Sequence, residues 1–441
     1  MIFRLRLRAN AAVAATVPLL GLVLLYVLAE EAGGGPDGYW TAATAKAASA
    51  LMFIAPVVAA CAAWEAGRLR RAGVGGGAPV RGGVRIAAAS LMPVLLLGLL
   101  ALAVALAGVR AQMGAAPGWP DPPILGAAVA TLGGYLLVGY ALGLWLLPAA
   151  SLPVALVGGY LWQVYPPALE PLWLRHLTQP ARGCCVSVDT VAAGGVAGPV
   201  LTAVALAAVA LAATTVSRHA PRRGAPAPAG LALVVVPALL VATAAGAGAV
   251  RAVSDLGPDA VVARPPAELV CTDAAAVRVC VWPEHEARLE ETAQVVREAV
   301  TGLTPVGVKP PDLVTEHLGP SGEPASDTRW TVTVRGSAGF TTDDIRAGLA
   351  ADLAMSLLDR HESPRAGDCP ADEVKAADEG FEAADQLLAW LAVRAGMDPG
   401  QAHARFDPQL WTAVGPVLDG DDAAQAAWYR SALDRAGCAP W

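Results

Sequence analysis

Seven long apolar stretches fill the first 250 residues of the chain, near 11–29, 43–63, 86–109, 124–147, 149–165, 197–216 and 229–250, and the remainder contains none. A helix needs about 20 apolar residues to cross a hydrocarbon core of roughly 30 Å, so each stretch predicts a transmembrane helix. A secretory signal peptide is shorter and would not be followed by six further spans. After residue 250 the pattern changes to short periodic segments. Residues 251–265 predict a linker ending in Pro265-Pro266. Glu268–Val281 predicts a hairpin, and Pro283–Leu303 a helix with Pro at its start, acidic residues in its first turn and Leu289, Val295, Val296 and Val300 on its apolar side. Pro305–Asp327 is rich in Pro and Gly and predicts a loop, while Arg329–Arg335 alternates as a strand does. Helices are predicted over Thr341–Arg360, which opens on Thr and Asp caps, and over Ala371–Ala395 and Asp422–Ala436. The expected fold is a membrane all-α helical bundle of about seven transmembrane helices (residues 1–250), followed by a soluble α+β domain (residues 251–441) large enough for its own core.

Charge separates the same halves. Residues 1–250 carry 15 Lys and Arg against 7 Asp and Glu, and residues 251–441 carry 16 against 31. The acidic half would repel nucleic-acid phosphates, so no nucleic-acid partner is expected. Lys and Arg resist translocation and mark cytoplasmic loops. Arg4, Arg6 and Arg8 precede the first stretch, Arg68, Arg70, Arg71, Arg81 and Arg85 lie between the second and third, and Arg218, Arg222 and Arg223 lie between the sixth and seventh. The opposite loops hold Arg110, Arg175 and Arg182. The expected topology is a multi-pass protein of the cell membrane with a cytoplasmic N-terminus and an extracytoplasmic C-terminal domain. Trp40, Trp64, Trp145 and Trp162 fall at predicted span ends, where an amphipathic ring prefers to sit.

Six of the seven cysteines fall on the outer face in that topology, which predicts disulfides. Cys271 and Cys280 face each other across the predicted hairpin. Cys369 precedes one helix and Cys438 follows the last, so a bridge there would clamp the C-terminal segment. A bond between the adjacent Cys184 and Cys185 is strained, and each is expected to pair elsewhere or stay free. Cys61 lies within a span.

Little in the spans is ionisable. Lys46, near the outer end of the second, has a stem long enough to snorkel to the interface. Pumps and secondary transporters usually need buried ionisable groups, so a lipid-like or apolar cargo, or none, fits better. Gly139 and Gly143 form a GxxxG pair that permits close helix packing. The segment Trp64-Glu65-Ala66-Gly67-Arg68-Leu69-Arg70-Arg71 predicts a short basic helix before the Gly73–Gly77 run. It reads either as a positive-inside anchor or as a coupling helix that docks on a cytoplasmic ATPase. Ala168–Leu177 (ALEPLWLRHL) spaces Leu169, Leu172, Trp173 and Leu177 for a short helix in the outer interface.

With WEAGRLRR and ALEPLWLRHL in those two positions, the layout resembles type II ABC exporter permeases, the class that includes the G-type transporters. The chain is also similar to Ala/Gly/Arg-rich actinobacterial membrane proteins described as ABC transporter permeases, in which patterns like PLWLRHLT…CC and VCVWPEHEARL recur. The resemblance implies a permease-like subunit working in the bilayer as a homodimer or with a paired subunit, driven by a separate ATPase chain that docks on Trp64, Glu65, Arg68, Leu69, Arg70 and Arg71. The chain itself has no GxxxxGK[ST] phosphate loop. The seventh span and the large outer domain are additions to that layout. The alternative is a membrane-anchored outer binding or sensing protein without transport activity.

Catalytic, metal and cofactor residues are not expected. There is no HExxH and no GxSxG. Glu284-His285-Glu286 sits at a predicted helix start, where acidic residues compensate the helix dipole. A hairpin followed by a long helix resembles zincin-like domains, yet Ala350–Leu358, in the place of the zinc helix, has no His. Binding or structural use is therefore expected of the outer domain rather than catalysis.

Overall fold

The computed structural model describes residues 10–29, 37–72, 83–113, 116–219, 229–274, 276–317, 328–336, 339–361, 369 and 373–439. Arg4, Arg6, Arg8, the Gly73–Gly77 run, Arg81, Arg222 and Arg223 lie outside the described residues. The chain forms two compact units, Met1–Val262 and Ala263–Trp441.

The first unit is helical. Its helices are α1 (Ala11–Ala29), α2 (Trp40–Ser49), α3 (Leu51–Arg71), α4 (Gly83–Gln112), α5 (Pro122–Trp145), α6 (Pro148–Val164), α7 (Ala193–His219) and α8 (Ala229–Val253). Two short 3-10 turns, Pro166–Ala168 and Leu172–Leu177, follow α6, and strand β1 (Asp189–Val191) pairs with β2 (Val261–Ala263). Among the described residues, six helices (α1, α3, α4, α5, α7 and α8) are long and apolar enough to cross a membrane. The stretch expected at 149–165 is α6, whose 17 residues sit at the short end of what a hydrocarbon core demands.

Hydrogen bonds sort the helix termini into two ends. At one, Ala11 N–H donates to Glu65, Asn10 to the Ser90 carbonyl, Arg70 to the Leu144 carbonyl and Trp145 to the Ala213 carbonyl. At the other, Gln112 donates to the Val27 carbonyl, Asp121 N–H to Thr44, and Ala192 N–H to the Ala260 carbonyl, while His176 bonds the Gly257 carbonyl. The termini alternate between these ends through all seven long helices, α6 included. The beginning of α1 and the close of α8 are therefore at opposite ends of the bundle.

The second predicted span is placed differently. The stretch 43–63 divides at Ala50 between α2 and α3, and the membrane-length helix runs Leu51–Arg71. WEAGRLRR is thus the last two turns of α3 and not a separate short helix. The helix passes through Glu65 without interruption because that carboxylate is satisfied inside the bundle. Along α3, Ala59, Ala63 and Gly67 recur every four residues and face Gly139 and Gly143 of α5. A Cβ on Gly139 would run into the Ala59 carbonyl, and one on Gly143 into the Ala63 carbonyl. Small residues on both helices let the backbones touch, the usual basis of helix association where lipid supplies no hydrophobic drive.

The second unit carries a four-stranded mixed sheet in the order β3 (Val270–Ala274), β4 (Val277–Val281), β5 (Leu313–Glu316), β6 (Arg329–Val332). The first pair is antiparallel and the other two are parallel. The helices are α9 (Leu289–Leu303), α10 (Thr342–Arg360), α11 (Glu373–Arg394), α12 (Pro399–Arg405), α13 (Trp411–Leu418) and α14 (Asp422–Ala436). Helix α9 lays Leu289, Ala293, Val295 and Val296 on the hairpin, and Thr341 with Asp344 forms a capping box for α10. Trp282 and Trp390 are wholly buried, and Trp390 shares its core with Trp330 and Trp411. Strand β5 falls inside the predicted Pro305–Asp327 loop. Only four residues long, it lies between β4 and β6, with three of its four residues buried, so it lacks the alternation that marks a half-exposed strand.

Cys271 and Cys280 are directly opposed in the β3–β4 register and bonded, with Cα atoms 4.1 Å apart. Cys369 and Cys438 are bonded at 5.7 Å. Cys184 and Cys185 are bonded to each other, against the expectation that each pairs elsewhere or stays free. Around them Ala181 and Gly183 adopt positive φ, and Cys184 N–H donates to the Ala181 carbonyl, so this turn folds back on itself and offers neither thiol another partner. Cys61 is buried and free.

Backbone contact between α3 and α5 predicts opposite signs for two similar substitutions. Gly139→Ala should destabilise the detergent-purified protein by about 1–3 kcal/mol through overpacking. Gly133→Ala, with nothing within 4 Å of its added methyl, should be neutral or stabilising by up to about 1 kcal/mol through helix propensity. Thermal unfolding of the two variants beside the wild type checks this.

Candidate functional site

The basic end of α3 is built around one carboxylate. Glu65 is 3% exposed. It accepts from Ala11 N–H at 2.9 Å, from Arg68 at 3.1 Å and from Ser90 at 3.2 Å. Ala11 opens α1, where backbone N–H groups have no partner within the helix, so Glu65 acts as a cap supplied by another helix. Asn10 adds a bond to the Ser90 carbonyl at 3.1 Å and accepts from Ala12 N–H. Arg70 donates to the Leu144 carbonyl at 2.9 Å at the close of α5. The last two turns of α3 thereby join the start of α1, the first part of α4 and the close of α5.

The six residues assigned to coupling divide by exposure. Glu65 is inside, Leu69 packs partly on the bundle core, and Arg70 is committed to α5. Trp64 and Arg71 are exposed, with the Arg71 guanidinium 5.5 Å from the Trp64 ring centre. Arg68 is half-exposed beside Glu65. A docking partner would therefore meet a surface of Trp64, Arg68 and Arg71, while Glu65 and Arg70 hold that surface to the bundle.

In the second unit, sequence drew attention to Glu284-His285-Glu286, and its three side chains diverge. Glu284 pairs with Arg264 at 2.6 Å, His285 is 1% exposed and bonds Glu316, and Glu286 is exposed. His285 Nδ1 lies 2.9 and 3.0 Å from the two Glu316 oxygens, and Trp282 N–H donates to the same carboxylate. The Arg264 guanidinium lies 4.2 Å from the Trp282 ring centre. Burial pushes the Glu316 carboxyl up from its ordinary value, and the bond to His285 opposes that. Directly after Glu316, His317 bonds Asp352 of α10 at 3.2 Å, which raises its pKa, and Thr333 donates to the other Asp352 oxygen. Asp352 stands within Ala350–Leu358, the segment compared with a zinc helix. Among the described residues no group of three His, Cys, Asp or Glu is arranged to hold a metal ion. Chemically, the His285–Glu316 pair is a closed tie between β5 and the turn after β4. Sequence reading missed it because Glu316 lies 31 positions away, in a segment read as loop.

The family model of a domain of unknown function (DUF7224) matches residues 279–436, which lie within the second unit. No curated protein and no solved structure matches the chain.

Removing one partner of a buried ion pair leaves the other charge or dipole stranded. Glu316→Ala should cost about 3–5 kcal/mol on that ground. Glu286→Ala, at the exposed neighbour of His285, should stay within about 0.5 kcal/mol of wild type. Hydrogen exchange of β4 and β5 amides in the full-length protein reads both.

Proposed function

We propose that this chain is the membrane-spanning, permease-like subunit of an ABC exporter, working with a separate cytoplasmic ATPase and a second permease copy or paired subunit. In this reading the basic end of the bundle faces the cytoplasm, and residues 263–441 lie outside the cell membrane. The observation that carries it is the construction of the α3 terminus. Exposed Trp64 and Arg71 form a contact surface, and Glu65 and Arg70 bind that surface to α1, α4 and α5. A push delivered there would move four helices together, as conversion of ATP-driven closure into helix tilt requires. Two short 3-10 turns after α6, at the other end, support the same layout. The apolar character of the spans favours a lipid-like or apolar cargo.

A second reading, an anchored binding or sensing protein, is favoured by the family match. It covers the outer unit and none of the membrane-capable helices, as for a recognition module carried on a membrane anchor.

The clamp changes how coupling must be tested. Replacing Glu65 would uncap α1, so the informative variant is Trp64→Ala with Arg71→Ala, which leaves Glu65, Arg68 and Arg70 in place. Loss of the aromatic and Arg anchors of an interface typically costs 2 kcal/mol or more, so recovery of an ATPase encoded beside this chain should fall roughly tenfold or more. Affinity capture from membranes, normalised to inserted protein, measures it. Equal recovery would remove the coupling role, and no ATPase captured by the wild type would favour the anchored-sensor reading.

A further inference from the structure

At the end of the bundle opposite Glu65, a cavity of about 650 Å³ opens within the first unit. Its walls come from the close of α1, from α2 and the start of α3, and from the segments 175–185 and 258–259. Three cationic side chains line it, Lys46, Arg175 and Arg182, against one carboxylate, Asp259, which is exposed. Arg175 donates to the carbonyls of Pro167 at 3.1 Å and Pro258 at 3.2 Å. These bonds fix the guanidinium but do not neutralise it. Arg182 donates to Gln179 Oε1 at 3.4 Å, and the buried Gln179 Nε2 has no hydrogen-bond partner. Burial, followed by repulsion from Arg175, pushes the Arg182 pKa down. Tyr26 and Met52 supply apolar surface in the same wall. On α1, Leu22 lies one turn before Tyr26 on the same face and is exposed.

We propose that this cavity binds the phosphate of an anionic phospholipid, with Lys46, Arg175 and Arg182 around the headgroup and the acyl chains along α1. Guanidinium groups suit a phosphate because their planar N–H fork matches two of its oxygens. A zwitterionic headgroup brings its own cation into a site that already has three, so a net-negative lipid is the preferred occupant. The assignment is independent of the permease reading, since an anchored sensor could hold the same lipid.

The test uses the full-length protein, stripped of lipid in a neutral detergent and offered an equimolar mixture of phosphatidylglycerol and phosphatidylcholine with the same acyl chains. Lipid retained after re-isolation is counted by mass spectrometry. The wild type should keep phosphatidylglycerol in preference by about tenfold, and Arg182→Gln should abolish that preference by removing a charged hydrogen bond to the phosphate. Arg182→Lys should restore most of it. Arg110→Gln, which removes an arginine stacked on Trp40 outside the cavity wall, should leave it unchanged. Equal retention of the two lipids by wild type, or equal losses in Arg182→Gln and Arg110→Gln, would overturn the proposal. Saturable binding of inorganic phosphate that depends on Arg182, without any lipid preference, would overturn the lipid assignment in favour of a soluble anion.

Discussion

A carboxylate buried among packed helices has to be met by protein groups, because burial removes the water that would solvate it. Glu65 meets that demand with partners from three helices, and the first unit is organised around the result. Its bond to Ala11 N–H sets where α1 begins, and its bond to Ser90 sets the depth of α4 beside α3. Once those depths are fixed, the small residues Ala59 and Ala63 fall opposite Gly139 and Gly143, and α5 can pack in backbone contact. The carboxylate therefore determines the register of the bundle as well as its polar end.

The division into an apolar half and a periodic, acidic half was legible from hydropathy and charge, and so were the hairpin, its cysteine pair and the longer outer helices. These depend on local pattern. The features that sequence reading placed wrongly depend on partners distant in the chain. The second span was read as 43–63, whereas its helix runs on through Glu65, and the groups that satisfy that carboxylate, Ala11 and Ser90, are 54 and 25 positions away. Strand β5 was hidden by its short length and by the Pro and Gly around it. The Cys184–Cys185 bond depends on a turn with two positive-φ residues that no periodicity signals. The cationic cavity was equally invisible, since Lys46, Arg182 and Asp259 are brought together only by the alternation of helix ends.

The ends of the bundle differ in chemistry in a way that suits different partners. One presents an aromatic and guanidinium surface tied rigidly to the helices beneath it. The other presents recessed cations beside apolar side chains. The second unit adds a separate core stapled by two disulfides, with a buried His285–Glu316 tie and no metal-holding cluster among its described residues. Its polar interior serves cohesion, and any recognition it performs would use its surface.

All of these roles require the two ends of the bundle to face opposite sides of a membrane. Labelling with a membrane-impermeant maleimide tests that directly, because the native cysteines are bonded or, for Cys61, buried. Single cysteines would replace Arg71 and Asp255, exposed residues at the two ends. The account predicts that Asp255→Cys is labelled in intact cells and Arg71→Cys only after permeabilisation. Labelling of both in intact cells, or of neither until the cells are opened, would contradict it.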